Sequence, residues 1–271
     1  MAGAELDKWK FHIDWWSMLP PGRPTQKELS FIRECAHSLG ASSALIMGST
    51  PEYRDLCHEL GIADVLVIDH SRSFHHHVSQ QRVYHGTGEQ VLFGRWQDLI
   101  PKFHDRFDLV LGDLVSGNVP YGERRALYDS VCRSLTEDGL FIEKILTNRF
   151  GYQTLSCLMA RYSDAPINLD SVNRFANDFF FSSELVEKAH MVNVADIVQQ
   201  LRKHFQGNAR LNRLLDASSK VVPPSGVWYY GRPWAEMEKE YRKIFQVRNI
   251  RRDTSTDSFL QRIEIFVSNS R

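Results

Sequence analysis

Along residues 44–69 the apolar positions fall into three blocks with two different periods. Ala44 to Met47 is a short continuous apolar run, the pattern of a parallel strand buried on both faces. Tyr53, Leu56, Cys57 and Leu60 then recur at helical spacing, and Gly61 supplies a left-handed stop. Val65 to Ile68 is a second apolar run, closed by Asp69. Thr25 to Leu39 precedes this unit as a helix with Leu29, Ile32, Cys35, Ala36 and Leu39 on one face and Gly40 as its end. After it, Gln90 to Phe93 reads as a third strand and Phe107 to Leu111 as a fourth, with Gly112 and Asp113 at its carboxyl end. A helix from Tyr121 and Gly122 carries Leu127, Val131 and Leu135 inward, and Thr136 to Gly139 turns the chain into a fifth strand, Leu140 to Leu146. Strands alternating with helices predict an α/β fold around a mostly parallel sheet.

Two stretches break this rhythm. Residues 151–226 hold helical patterns, clearest at Ile197, Val198, Leu201 and Phe205, interrupted by Asp164-Ala165-Pro166 and Pro223-Pro224. An insertion of this length at the active-site end of a sheet is expected to act as a lid or substrate segment. Phe175, Phe179, Phe180 and Phe181 belong either to a pocket lining or to the insertion's own small core. A helix over Pro233 to Tyr241 then leads into two extended runs, Ile244 to Ile250 and Arg262 to Val267, with Ile263, Ile265 and Val267 on one face. Joined by the polar stretch Arg251 to Ser258, they predict an antiparallel hairpin at the end of the sheet.

The turn chemistry gives the first functional hint. Gly48 follows the first strand where the backbone turns sharply beside a ligand, Thr50 caps the next helix, Pro51 occupies its first position and Glu52 adds charge to its first turn. Asp69 ends the second strand 21 residues after Gly48, where a nucleotide-binding unit places a carboxylate for ribose hydroxyls. One glycine stands here instead of Gly-x-Gly-x-x-Gly, and no phosphate-binding Lys-Ser or Lys-Thr follows. The expected ligand therefore carries a ribose but no pyrophosphate.

Met47-Gly48-Ser49-Thr50-Pro51-Glu52-Tyr53-Arg54-Asp55-Leu56 resembles the first motif of class I S-adenosylmethionine-dependent methyltransferases, in the Gly-x-Thr-Pro-Glu-x-x-Asp-Leu form of bacterial small-molecule enzymes. The Phe107-to-Leu146 progression of strand, acid, helix, turn and strand is similar to that family as well. The resemblance implies a Rossmann-like sheet with an antiparallel terminal strand over 25–150 and 227–271, an N-terminal cap over 1–24 and a mainly helical lid over 151–226. It implies S-adenosyl-L-methionine as cofactor, S-adenosyl-L-homocysteine as product and a small-molecule acceptor. Gly48, Ser49, Thr50, Asp69, His70, Arg95, Trp96 and Asp113 then fall at the cofactor. Gly94-Arg95-Trp96 stands where the family often has Gly-Asp-Trp, so Arg95 cannot accept from the adenine amine and that contact shifts to Gln97, Asp98 or the backbone. The leader Trp16-Ser17-Met18-Leu19-Pro20-Pro21-Gly22-Arg23-Pro24 closes over the cofactor in such enzymes, with Arg23 on the methionyl carboxylate. Asp113 is the expected catalytic carboxylate. Tyr121, in Asn118-Val119-Pro120-Tyr121, looks superficially like the Asn-Pro-Pro-Tyr of amine methyltransferases, or else belongs to a plain turn before a helix.

Composition narrows the remaining choices. Lys plus Arg and Asp plus Glu number 33 each among 271 residues, so nothing implies a nucleic acid or anionic membrane partner. Cys35, Cys57, Cys132 and Cys157 show no C-x-x-C spacing, and a cytoplasmic protein is expected. No apolar run approaches 18 residues and no signal pattern opens the chain, so an unprocessed, soluble protein is expected. His75-His76-His77 invites a metal reading, but adjacent residues on a helix cannot face one ion, and no metal is expected. The chemistry the resemblance implies is in-line methyl transfer, with a nicotinamide or flavin oxidoreductase and a non-catalytic cofactor-binding protein on the same fold as the alternatives.

Overall fold

The protein is described by a computed structural model covering residues 22–85, 88–146, 152–181, 183–187, 191–222, 226–229, 234–252 and 263–270. Trp16 and most of the leader, Pro223-Pro224 and Pro233 lie outside these residues, as do the side chains of Ile263 and Ile265.

Helix α1, Gln26–Leu39, opens with a capping box in which Thr25 accepts from the Glu28 N–H and the Glu28 side chain accepts from the Thr25 N–H. It closes at Gly40 with φ +66°. Strand β1 is Ser43–Met47, helix α2 Pro51–Glu59 and strand β2 Asp64–Asp69. Helix α3, Arg72–Ser79, leads to β3, Gln90–Phe93, and the short helix α4, Trp96–Leu99, to β4, Phe107–Asp113. A turn of helix, α5, Val115–Asn118, and the longer α6, Tyr121–Ser134, connect to β5, Leu135–Leu146.

Strands β1 to β5 are parallel, and the seven-stranded sheet runs β3-β2-β1-β4-β5-β9-β8, where β8 is Phe245–Arg252 and β9 is Ile263–Ser270. β9 pairs antiparallel with both neighbours, which is the expected reversed strand. The central strands are apolar on both faces because both faces are covered. Leu45, Met47, Leu66, Ile68, Val110 and Phe141 pack with Leu127 and Val131 of α6. Ala44, Ile46, Val65, Val67, Leu109 and Ile142 pack with Leu29 and Ile32 of α1 and Tyr53 and Leu56 of α2. Alternate residues of each strand thus serve opposite layers, and the continuous apolar runs follow.

One boundary differs from the sequence reading. The fifth strand begins at Leu135, which pairs with Phe107, and the ladder resumes only at Leu109 with Leu140. Thr136 to Gly139 bulges out between them while the chain stays extended, and a Cβ at Gly139 would approach the Phe107 carbonyl to 2.9 Å.

Between β5 and the C-terminal part lie helices α7 (Leu155–Tyr162), α8 (Leu169–Phe181), α9 (Glu184–Glu187), α10 (Val194–His204) and α11 (Ala209–Val221), with a two-stranded ladder of β6, Val192–Asn193, and β7, Val227–Trp228. Phe175, Phe179 and Phe180 are buried in the core of this segment. Leu114, from the carboxyl end of β4, packs against the same core. Helix α12, Trp234–Ile244, then returns the chain to the sheet.

Candidate functional site

Gly48, Asp69, Asp113 and Lys144 end or nearly end β1, β2, β4 and β5, so the parallel sheet brings them to one edge. That edge is where open α/β sheets hold ligands. Gly48 adopts φ +102° and donates its N–H to the Ile68 carbonyl at 2.9 Å, which ties the turn to the end of β2. Trp96 donates its indole N–H to the same carbonyl at 2.8 Å, and its ring would lie 3.8 Å from a Cβ at Gly48. Trp96, expected at the cofactor, therefore walls the glycine turn.

Asp69 is buried, and both its oxygens are engaged from the protein side. Oδ2 accepts from the Ser49 hydroxyl at 2.6 Å, and Oδ1 accepts from the Ser71 N–H at 2.8 Å. His70 Nδ1 lies 3.8 Å from Oδ1. A carboxylate offers about four lone-pair positions, more than the two donors that meet Asp69 at hydrogen-bond distance among the described residues. Burial pushes the Asp69 carboxyl upward, opposed by the Ser49 and Ser71 hydrogen bonds. His75, read from the sequence only as part of a histidine run, reaches Ser49 Oγ through Nδ1 at 2.9 Å. Its neighbours behave differently: His76 meets Gln80 and His77 meets Gln81, each one helical turn away. Burial, reinforced by Arg54, lowers the His75 imidazole to about 4.

Asp113 faces two partners. Lys144 Nζ lies 2.6 Å from Oδ1, and the Thr50 hydroxyl donates to Oδ2 at 3.2 Å. Thr50 holds the N-cap position of α2 by backbone but makes no side-chain cap bond there, because its hydroxyl is committed to Asp113. The first motif and the fourth strand are thus joined directly. Asp113 and Lys144 are also partners in the strand register, and the lysine side chain is 0% exposed.

The residue after Asp113, Leu114, has φ +56°, a left-handed conformation that costs a branched side chain energy and marks a constrained turn. The following peptide is gripped at both ends. Glu143 accepts the Ser116 N–H at 2.7 Å, and Arg124 donates to the Ser116 carbonyl. Arg124 also donates to Tyr229 O at 2.6 Å and Val119 O at 3.2 Å, so it fastens the end of the helical insertion to this turn. The Tyr229 N–H adds a bond to Gly117 O at 2.8 Å. Burial pushes the Glu143 carboxyl up to about 7, against the Ser116 and Tyr128 hydrogen bonds and the Arg124 charge. The sequence reading treated Leu140 to Leu146 as a strand and passed over Glu143 and Lys144. Two charges inside an otherwise apolar, doubly covered strand were the available signal.

Three further expected residues have protein partners of their own. Arg95 pairs with Glu123 near the start of α6, and Gln97 donates to the same carboxylate at 2.9 Å. Arg23 donates to Glu52 Oε1 at 2.9 Å, linking the end of the leader to the first turn of α2. Tyr121 stacks under the Arg124 guanidinium at 4.1 Å and meets Tyr229 edge-on, with ring centres 6.1 Å apart. It opens helix α6. A concavity lined by Arg242, Phe245, Gln246 and Val247 lies at the opposite edge of the sheet, since Phe245 aligns through Ser270 with the start of the parallel strands. Among the described residues no group of three His, Cys, Asp or Glu side chains is arranged to hold a metal, and no helix is long and apolar enough to cross a membrane.

No protein-family model and no curated protein matches the chain. Solved structures do. A Rhodobacter sphaeroides protein whose name proposes a Zn-dependent alcohol dehydrogenase matches over 100% of both chains, with 13% identity and TM-score 0.61. The CcbJ methyltransferase of Streptomyces caelestis matches over 98% of both chains, with 13% identity and TM-score 0.58. The Burkholderia thailandensis 1,6-didemethyltoxoflavin-N1-methyltransferase, solved with its substrate and S-adenosylhomocysteine, matches over 97% of this chain and 81% of its own, with 10% identity and TM-score 0.51. The strand order with reversed β9 and this likeness define the fold as that of the class I methyltransferases.

Proposed function

We propose that the protein is an S-adenosylmethionine-dependent methyltransferase acting on a small-molecule acceptor. The observation that carries the reading is the pairing of a positive-φ glycine at the end of β1 with a buried carboxylate at the end of β2, the place of a ribose-binding acid. The residues fit such a cofactor: a Cβ at Gly48 would meet nothing nearer than Trp96, leaving room for close approach of a ligand to the backbone. Asp69 would hold the ribose hydroxyls, and Asp113 the amino group. His70, Arg23 and the leader containing Trp16 would line the rim.

When bound, the cofactor supplies a methyl already activated on sulfonium. The chain's task is then to hold donor and acceptor in line and exclude water. Asp113 is set for this by Lys144 and Thr50, and the turn from Leu114 to Gly117 is set by Glu143 and Arg124. The helices of 151–226 serve as a lid on the acceptor side, a role supported by the packing of Leu114 into their core and by the Tyr229 bond to Gly117. The balanced total charge and the acceptor of the Burkholderia neighbour support a small molecule as the target.

A nicotinamide reading is prompted by the name of the Rhodobacter neighbour. Against it stand the single glycine at β1 and a strand reversed between β5 and β8, where a dinucleotide-binding sheet continues parallel. Thermal shift separates the two: S-adenosylhomocysteine should raise the melting temperature and NADH should leave it unchanged. Stabilisation by NADH alone would discard the methyltransferase reading.

A further inference from the structure

We infer that His75 is a positioning residue for the ribose carboxylate: its Nδ1–H holds the Ser49 hydroxyl turned onto Asp69, so that Asp69 presents its open lone pairs to a vicinal diol. The inference rests on the S-adenosylmethionine reading and names a device within that site. Ser49 Oγ stands between Asp69 Oδ2 at 2.6 Å and His75 Nδ1 at 2.9 Å. Serine has one hydroxyl proton, and an ionised carboxylate can only accept, so Ser49 gives that proton to Asp69. The bond to His75 is then made with the ring proton on Nδ1, which fixes the tautomer.

The ring itself is firmly held. It packs edge-on against Phe93 of β3 with centres 5.5 Å apart, its backbone N–H bonds Ser71 O at 3.0 Å, and its carbonyl accepts from Ser79 Oγ at 2.6 Å. Arg54, Arg82, Glu89 and His76 are the charged or titratable groups around it, and Arg54, Arg82 and Glu89 form their own ion-pair cluster. Burial and Arg54 keep the imidazole neutral near pH 7, so it donates a hydrogen bond without adding a cation beside the ribose site. Of the three consecutive histidines, His75 is the one whose helical phase turns it toward the strand ends; His76 and His77 meet Gln80 and Gln81 instead.

The test is calorimetric titration of the full chain with S-adenosylhomocysteine and with its 2′-deoxy analogue, with melting temperatures recorded for every variant. His75→Leu and Ser49→Ala should each weaken S-adenosylhomocysteine about five- to tenfold, the range of one hydrogen bond, and shrink the preference over the deoxy analogue. His75→Asn, whose amide N–H takes the place of Nδ1–H, should bind within about twofold of wild type. Wild-type affinity in a folded His75→Leu, or no recovery in a folded His75→Asn, overturns the positioning role while leaving the methyltransferase reading intact. If His75→Leu does not fold, Ser49→Ala and His75→Asn decide the matter. A wild-type protein that does not bind S-adenosylhomocysteine overturns both.

Discussion

Lys144 Nζ lies 2.6 Å from Asp113 Oδ1 at the carboxyl ends of two register-paired strands, with the lysine fully buried. A charge in that position is tolerated because its partner is there. Lys144→Met should therefore leave a carboxylate without its counter-ion and cost about 3 to 5 kcal/mol, read from urea denaturation midpoints. The double variant Lys144→Met/Asp113→Leu should cost less than the sum of the two single changes. Simple additivity in that cycle would show that the two residues are not coupled.

Asp69→Ala tests the ribose site. Removing a carboxylate that accepts two hydroxyls should weaken S-adenosylhomocysteine by about 1.5 to 3 kcal/mol, roughly tenfold to a hundredfold in Kd, by calorimetry. Unchanged affinity would take Asp69 out of the binding site.

Gly48→Ala addresses the turn. At φ +102° any side chain strains the backbone even though the nearest wall is 3.8 Å away, so stability should fall by roughly 1 to 3 kcal/mol. The added methyl would also occupy the space where a ligand approaches, and S-adenosylhomocysteine affinity should drop together with the melting temperature.

Glu143 gives a pH dependence with a definite sign. Its folded-state value of about 7 lies above the ordinary 4.5, so between these values the folded protein holds a proton that the unfolded chain has released. Stability from this group is therefore greatest at low pH, declines as pH rises from about 4.5 to 7, and is flat above that, a total of about 3 kcal/mol. Glu143→Gln keeps an acceptor for the Ser116 N–H and removes the titration. The difference in unfolding free energy between variant and wild type should grow from pH 5 to 7 and level off by pH 8; a constant difference would show that Glu143 does not titrate in this range.

Arg124→Met should unfasten the insertion from the turn after Asp113. With bonds to Ser116 O, Val119 O and Tyr229 O lost, stability should fall by about 2 to 4 kcal/mol, and hydrogen exchange should quicken at 114–119 and 226–229 before the rest of the sheet. Uniform exchange across the chain would argue against Arg124 as a local fastening.

The amino-acid sequence by itself determined the order of elements and the residues that end the first strands. Apolar runs such as Ala44 to Met47, the helical spacing of Leu29, Ile32 and Ala36, and the stops at Gly40 and Gly61 are local signals, since they depend on backbone conformation and on which face is covered. Gly48 and Asp69 were legible for the same reason, as a turn and a strand end. The terminal hairpin was legible too, but its insertion as β5-β9-β8 is a pairing choice between distant segments. Only the tertiary structure decided which polar groups meet. Thr50 was read as a helix cap, and the fold gave its hydroxyl to Asp113; the pairing of Arg95 with Glu123 is likewise a tertiary contact between separate elements. The charges of Glu143 and Lys144 in an apolar strand signalled an exception but not its purpose, and Arg124 and His75 carried no signal at all, because their partners, Asp113, Ser116, Tyr229 and Ser49, come within hydrogen-bond reach only when the strands register and the helices cover them. Periodicity reports burial, but a buried charge survives only beside its complement, and that complement is set by topology.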